Sequence, residues 1–214
     1  MKTLLVFLLC CCCYFTNAQL SFGLKAGLSP EAKPKTPFCI INRDKPQNEF
    51  LFNSEVVHYS PTLGVFARLD RGPYWFSIEF LTYSWKEKYS VNYSYESLVK
   101  SEGNTILEEH KRVLEVPISI GVTLGKVQIS SGFSGIYTLK ETSQLKTLAG
   151  YNSSVKKFKP AWHSGIGINL SPFLIDLRYT QFFDNYGQDR SVNDWDLTLD
   201  NARTKVMASI SLKF

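Results

Sequence analysis

The segment Thr204–Phe214 alternates between apolar and mostly polar side chains with period two. Its apolar set is Val206, Ala208, Ile210, Leu212 and Phe214, and the residues between them are Lys205, Met207, Ser209, Ser211 and Lys213. Because successive side chains of a strand point to opposite faces, this pattern predicts a strand with one apolar and one mostly polar face. A final strand ending on an aromatic residue, behind an export signal, is typical of bacterial outer-membrane barrels, so we expect the apolar face to contact lipid.

The export signal is predicted at residues 1–18. Lys2 supplies a positive start, Leu4–Phe15 an apolar stretch, and Thr16-Asn17-Ala18 a cleavage site. The apolar stretch is shorter than the roughly 20 residues that a membrane-spanning helix needs. The sequence therefore predicts a signal peptide over 1–18 and one outer-membrane β-barrel domain over 19–214.

The cysteines of the signal region leave a second interpretation open, a lipoprotein anchored through one of Cys10–Cys13. The small residues expected before a lipidated cysteine are missing, since Leu8 and Leu9 precede Cys10. A cleaved signal peptide is therefore the favoured interpretation.

The mature chain would keep 196 residues and a single cysteine, Cys39, which cannot form an internal disulfide. Its charge would be +4, from 23 Lys and Arg against 19 Asp and Glu, and this small excess indicates no nucleic-acid partner. No later segment contains 18 consecutive apolar residues, so the sequence predicts no membrane-spanning helix. A membrane location would therefore require strands.

Eight period-two segments recur along the chain. They are Leu20–Leu28, Tyr59–Leu69, Tyr74–Lys86, Leu114–Leu124, Val127–Leu139, Pro160–Leu170, Phe173–Phe183 and Thr204–Phe214. Four long polar connections, near Ser29–His58, Glu87–Lys111, Lys140–Lys159 and Asp184–Ala202, alternate with tight turns at Asp70–Pro73, Gly125-Lys126 and Ser171-Pro172. This organisation predicts an all-β fold, an eight-stranded antiparallel up-and-down transmembrane β-barrel with four long outer loops. Pro117 cannot donate to a strand ladder, so we expect a bulge or local irregularity there.

The polar faces of these strands combine small residues with charges of both signs. The charged members are Lys25, Arg68, Glu79, Glu115, Asp176, Arg178, Lys205 and Lys213. Such a set suits a narrow lumen in which the charges pair. Aromatic residues near strand ends are expected to form interface girdles, and they are Tyr74, Trp75, Tyr83, Trp85, Trp162, Tyr179 and Phe214. A soluble lipocalin-like carrier with an apolar cavity is the alternative.

Three segments resemble the PorT-like outer-membrane β-barrel proteins of Bacteroidetes-type bacteria. They are Phe22–Leu28 after the signal peptide, Leu114–Ile118 in mid-chain, and Ser209–Phe214. The resemblance covers essentially the whole mature chain, and its short motifs mark strand registration rather than chemistry. It implies a Gram-negative cell envelope and a link to protein secretion or envelope assembly, without assigning a role to particular residues.

No catalytic, cofactor-binding or metal-binding residue is predicted from the sequence. The histidines, His58, His110 and His163, fall near strand ends or in loops. His163 and Ser164 are neighbours, but adjacent strand residues point to opposite faces, so this pair alone makes no base and nucleophile. A lipid-modifying enzyme, with partners from other strands, stays an alternative to a non-enzymatic protein.

The loops are expected to carry any specific interaction. Asp184, Asp189, Asp194, Asp196 and Asp200 crowd the fourth loop without calcium-loop spacing, which favours a solvated loop over a cation site. Lys156, Lys157 and Lys159 could contact lipopolysaccharide phosphates. Cys39 is expected to be a lone thiol, with an intermolecular disulfide as the lesser interpretation. The expected partners are outer-membrane lipid and lipopolysaccharide, the barrel assembly machinery at the strand ending in Phe214, and a protein at the outer loops.

Overall fold

The computed structural model describes residues 18–30, 38–41, 49–54, 59–94, 105–144, 151–153, 158–185, 190–192, 195–196 and 202–214. Eight long strands form the main body: β1 (Gln19–Pro30), β4 (Tyr59–Arg71), β5 (Tyr74–Ser94), β6 (Thr105–Leu124), β7 (Val127–Ser143), β9 (Phe158–Leu170), β10 (Phe173–Asn185) and β13 (Ala202–Lys213). Five shorter strands lie in the long connections: β2 (Phe38–Ile41), β3 (Glu49–Ser54), β8 (Tyr151–Ser153), β11 (Arg190–Val192) and β12 (Trp195–Asp196).

The eight long strands close into an antiparallel barrel. Each pairs with its sequence neighbour among the eight, and the ring closes where β1 pairs with β13, from Gly23 opposite Lys213 to Leu28 opposite Ala208. The backbone N–H of Phe214 also donates to the carbonyl of Phe22, at 2.8 Å. The predicted eight-stranded antiparallel up-and-down barrel is thereby confirmed.

All regular structure in the described ranges is strand, with one residue of 3₁₀ helix at Gln144. Those ranges contain no helix of the length and apolarity needed to cross a membrane.

The three tight turns lie where the sequence predicts them. Two residues connect the strands in each case, namely Gly72-Pro73, Gly125-Lys126 and Ser171-Pro172. Gly72 and Gly125 have φ values of +56° and +64°, a left-handed conformation that glycine adopts without a Cβ penalty. We call this the turn end of the barrel, and the opposite end, with the long connections, the loop end.

The predicted loop boundaries are wrong at the loop end, because strands continue through sequence assigned to connections. Most of Glu87–Lys111 is strand, since β5 runs to Ser94 and β6 begins at Thr105. Beyond the barrel wall, β3 replaces β4 as the neighbour of β5, and β2 pairs with β3. Polar segments of this kind form strands because their backbone groups pair with each other, whatever the side chains.

The irregularity expected at Pro117 takes a different form. The described pairs of β5 with β6 stop at Ile78–Ile118 and resume at Leu81–Glu115, so the ladder skips Pro117 on that side. On the other side Pro117 stays opposite Ser134, and the register shift with β7 lies between Arg112 and Val113. The missing N–H therefore interrupts one ladder without creating a bulge at the proline.

The two faces of the barrel have opposite chemistry. Among the described residues, apolar side chains from all eight strands are exposed on the outer wall, including Leu24, Leu63, Phe80, Ile120, Phe133, Ile166, Leu177 and Ile210. The inward set is largely polar and buried, including Ser21, Lys25, Arg68, Glu79, Glu115, His163 and Arg178. Water-soluble proteins reverse this distribution, since their charged residues are almost never fully buried.

Candidate functional site: the barrel interior

The middle of the barrel holds a four-residue ion network from three strands, β1, β5 and β10. Lys25 Nζ lies 2.9 Å from Asp176 Oδ2 and 3.2 Å from Glu79 Oε2, and Arg178 Nη2 lies 2.6 Å from Glu79 Oε1. Ser209 adds a hydrogen bond to Asp176, at 2.7 Å. Two cations thus neutralise two carboxylates, which is what makes burial of four charges tolerable.

A second ion network, centred on Asp70, lies at the turn end of the interior. Arg68 Nε contacts Asp70 Oδ1 at 2.7 Å, and Lys213 Nζ contacts Asp70 Oδ2 at 2.9 Å. Arg68 also donates to Gln128, and its guanidinium lies 4.2 Å from the ring centre of Trp75. These contacts tie β4 to both β7 and β13, across the barrel and beyond the neighbouring strand.

A third pair lies nearer the loop end. Lys205 Nζ contacts Glu115 Oε2 at 2.7 Å and lies 3.8 Å from the ring centre of Tyr83. All eight charges predicted for the polar face are therefore in interior ion pairs, which confirms the predicted lumen. Asp70 joins them, although the sequence assigned it to a turn, because β4 continues to Arg71.

His163 is the interior group closest to catalytic chemistry. Its Nε2 lies 2.8 Å from Ser119 Oγ and its Nδ1 lies 3.0 Å from Ser134 Oγ. The direction of each hydrogen bond depends on which imidazole nitrogen carries the proton. A serine hydroxyl within hydrogen-bond reach of an imidazole resembles a nucleophile beside its base.

All three side chains of this arrangement are buried. His163 is fully buried, and Ser119 and Ser134 are at most 2% exposed. Gly132 leaves the room for the imidazole, since a Cβ there would meet the carbonyl of Ile118 and His163 Nε2. The group therefore faces the packed lumen rather than the outer wall.

An apolar layer closes the interior at the loop end. Tyr83, Val113, Ile136, Ala161 and Phe182 pack together from five strands, with Trp85 against them. Below it, a cavity of about 30 Å³ borders the central ion network, and another of about 20 Å³ lies beside Tyr83 and Lys205. Such volumes hold about one or two water molecules. In the part of the chain described here, the lumen is filled rather than open.

The sequence-derived candidates are scattered. His163 is in the lumen and His110 is exposed on β6, whereas His58 lies outside the described residues. Cys39 is in β2, opposite Leu51 in the β3 register. Lys159 is the second residue of β9, and Lys156 and Lys157 lie outside the described residues. His163 could have been assigned to the lumen, because it shares strand parity with Gly165 and Gly167.

Only two of the five Asp residues of the fourth connection lie in the described part of the chain. Asp184 falls in β10 and Asp196 in β12, while Asp189, Asp194 and Asp200 lie outside the described residues. Within the described residues, no group of three or more His, Cys, Asp or Glu side chains is placed to hold a metal ion.

The aromatic prediction is partly wrong. Tyr74, Tyr179 and Phe214 are exposed on the outer wall, but Tyr83 is buried and Trp75 and Trp85 contact interior groups. The reason is parity, because residues 75, 83 and 85 share the face of Ser77 and Glu79 on β5. Other aromatics take the outer positions, including Tyr59, Tyr137, Phe158 and Phe183 toward the loop end and Phe173 at the turn end.

The class defined by these observations is a closed eight-stranded β-barrel with a charged, filled lumen and an apolar wall. No protein-family model matches the chain, and no curated protein matches it.

Proposed function

We propose that this protein is an integral outer-membrane β-barrel that works without catalysis, as a scaffold whose loop end contacts a partner. The observation that carries the proposal is the inversion of its two faces. Large apolar side chains exposed to water on every strand are costly, whereas the same wall in hydrocarbon is at no disadvantage. A closed barrel also satisfies its backbone polar groups internally, as a lipid environment demands.

The outer aromatics support the same placement. Tyr74, Phe173 and Phe214 lie at the turn end, and Tyr59, Tyr137, Phe158 and Phe183 lie toward the loop end, with apolar wall between them. Tyr137 and Phe158 are in contact, with ring centres 4.9 Å apart. Two aromatic belts flanking an apolar band are the pattern of membrane barrels, where the rings lie at the headgroup level.

Because the lumen is filled, we expect the function to reside at the ends of the barrel. Transport needs a passage, and the interior ion pairs and apolar layer occupy it. The loop end instead has regular structure, because β3 pairs with β5 and β2 pairs with β3. A sheet held on a rigid barrel is suited to binding a protein partner, since binding residues are commonly carried by connections on rigid scaffolds.

The PorT-like resemblance gives the proposal its biological direction, namely secretion or envelope assembly in a Gram-negative cell. In this setting the turn end faces the periplasm and the loop end faces outward. Lipid and lipopolysaccharide surround the wall, and the assembly machinery recognises the apolar face of β13 up to Phe214.

Membrane fractionation with a heat-shift gel tests the proposal. The protein should be recovered in the outer-membrane fraction, resist extraction by carbonate, and run faster on a denaturing gel unboiled than boiled, because the closed barrel survives the detergent. Recovery in the soluble fraction, with one mobility for both samples, would contradict it.

A further inference from the structure

The cavity of about 30 Å³ inside the barrel is bordered by members of both ion networks. Lys25 and Arg178 belong to the central network, and Arg68 belongs to the network around Asp70. A space of this size admits about one or two water molecules, or a single ion of similar radius. It is too small for an organic ligand, because pockets for such ligands have volumes of about 300–1,000 Å³.

Five buried polar atoms on residues that border this cavity meet no hydrogen-bond partner among the described residues. Three are N–H groups, which can only donate, and two are hydroxyls. They are Arg178 Nη1, Gln128 Nε2, Trp75 Nε1, Ser77 Oγ and Ser211 Oγ. Buried donors without an acceptor are costly, so this cavity favours an occupant that accepts hydrogen bonds.

Existing contacts fix the direction of two of these donors. The Oε1 of Gln128, a residue only 3% exposed, accepts a hydrogen bond from Arg68 Nη1 at 2.7 Å. A flipped amide would turn its NH₂ group toward the Arg68 donor, so Nε2 stays on the other side. Arg178 is 4% exposed and its Nη2 lies 2.6 Å from Glu79 Oε1, which also orients Nη1 because the guanidinium is planar. Both groups therefore remain as donors.

The charge around the cavity is positive. The lining contains three buried cations and two carboxylates, namely Lys25, Arg68, Arg178, Glu79 and Asp176. Asp70 pairs with Arg68 from outside this lining, but it also pairs with Lys213. The two networks together thus hold four cations and three carboxylates, so they carry one positive charge in excess.

We infer that this cavity binds one chloride ion, held by the N–H groups of Arg178, Gln128 and Trp75. A halide accepts hydrogen bonds from every direction and has no proton of its own to place. Water accepts only about two hydrogen bonds and has two protons to donate, so it suits a donor-only lining less well. The ion also supplies the negative charge that the two networks lack. This inference does not depend on the proposed membrane location, because the cavity lies inside the barrel.

Unfolding of the purified barrel in detergent micelles tests the inference, with chloride as the probe. Urea titrations are run at constant ionic strength, with sodium chloride replacing sodium gluconate, whose anion is too large for the cavity. Above the dissociation constant, each tenfold rise in chloride should lower the unfolding equilibrium constant about tenfold, because one ion binds the folded barrel only. An unfolding constant that is the same in chloride and in gluconate would overturn the inference in favour of water.

Ser211→Ala and Ser29→Ala form a matched pair that locates the ion. Both residues are 2% exposed and neither hydroxyl has a hydrogen-bond partner in the described ranges, but only Ser211 borders the cavity. Ser211→Ala should weaken chloride binding about tenfold, as expected for the loss of one hydrogen bond to a charged group. Ser29→Ala should leave the chloride dependence unchanged, and equal effects of the two substitutions would contradict this site.

Gln128→Glu places a carboxylate at the position of the ion. The new side chain can still accept from Arg68 and supplies the negative charge itself, so the unfolding constant should no longer depend on chloride. Persistence of the full chloride dependence in this variant would overturn the inference.

Crystals grown in sodium bromide give the direct measurement. The wild type should show one anomalous scattering peak within hydrogen-bond distance of Arg178, Gln128 and Trp75, and a wild-type cavity without that peak would overturn the inference. If Gln128→Glu does not fold, this peak and the serine pair still decide the outcome. Recovery of the protein in the soluble fraction would contradict the proposed function and leave this test unchanged.

Discussion

At the scale of single residues, stability depends on the interior ion pairs, because one charged side chain can pair with two others. Glu79 is the clearest case, since it contacts both Lys25 and Arg178 and is almost fully buried. Replacing it leaves two cations in the lumen with one carboxylate, Asp176, between them. Removing one partner of a buried pair costs much more than the pair itself contributes.

We expect Glu79→Gln to lower the free energy of unfolding by about 3–5 kcal/mol, the usual cost of an uncompensated buried charge. The measurement is a urea titration of the barrel in lipid vesicles, followed by tryptophan fluorescence. Glu108→Gln, at an exposed position on β6, is the matched control and should change the value by less than about 0.5 kcal/mol. Equal effects of the two substitutions would show that the central network contributes little.

At the scale of the strand, period-two alternation makes the solvent of each face testable. Ile210 is an outward residue of β13, opposite Ala26 on one side and Ile175 on the other, well inside the apolar wall. Leu124 is also outward and exposed, but it lies beside the Gly125-Lys126 turn. The two positions differ in depth rather than in chemistry.

If the wall faces hydrocarbon, Ile210→Lys should destabilise the barrel by about 2–4 kcal/mol and Leu124→Lys by about 0–1 kcal/mol. Unfolding titrations of both variants in the same vesicles measure the difference. A wall in contact with water would tolerate both substitutions equally well, and that outcome would refute the membrane placement.

Element boundaries are where prediction from sequence failed most. Hydrophobic alternation ends near Lys86 on β5 and begins near Leu114 on β6, although the strands continue to Ser94 and from Thr105. Alternation of apolar and polar side chains is expected only where the two faces of a strand lie in different environments. Where the strands leave the barrel wall, the pairing is between backbones, and the side-chain pattern no longer records it.

At the scale of the whole molecule, the filled lumen determines permeability. Ion networks occupy its middle and turn end, and an apolar layer closes it toward the loop end. We therefore expect reconstituted vesicles to take up small sugars no faster than protein-free vesicles in a swelling assay. An open porin in parallel vesicles controls for the assay, and rapid swelling with the present protein would contradict a plugged barrel.

Alternation and turn residues are local signals, and they predict the eight barrel strands, the three tight turns and the polar character of the inward face. The sequence indicates that the inward charges form pairs, but it does not identify the partner of each charge. Lys25 meets Asp176 and Glu79 because ring closure brings β1, β5 and β10 around one axis.

The hydrogen bonds of His163 to Ser119 and Ser134, and the apolar layer at the loop end, follow only from the tertiary structure. These features depend on which residues of distant strands share a level, and closure of the barrel fixes that register. A pattern within one strand specifies its two faces, but only the closed ring specifies what each side chain meets.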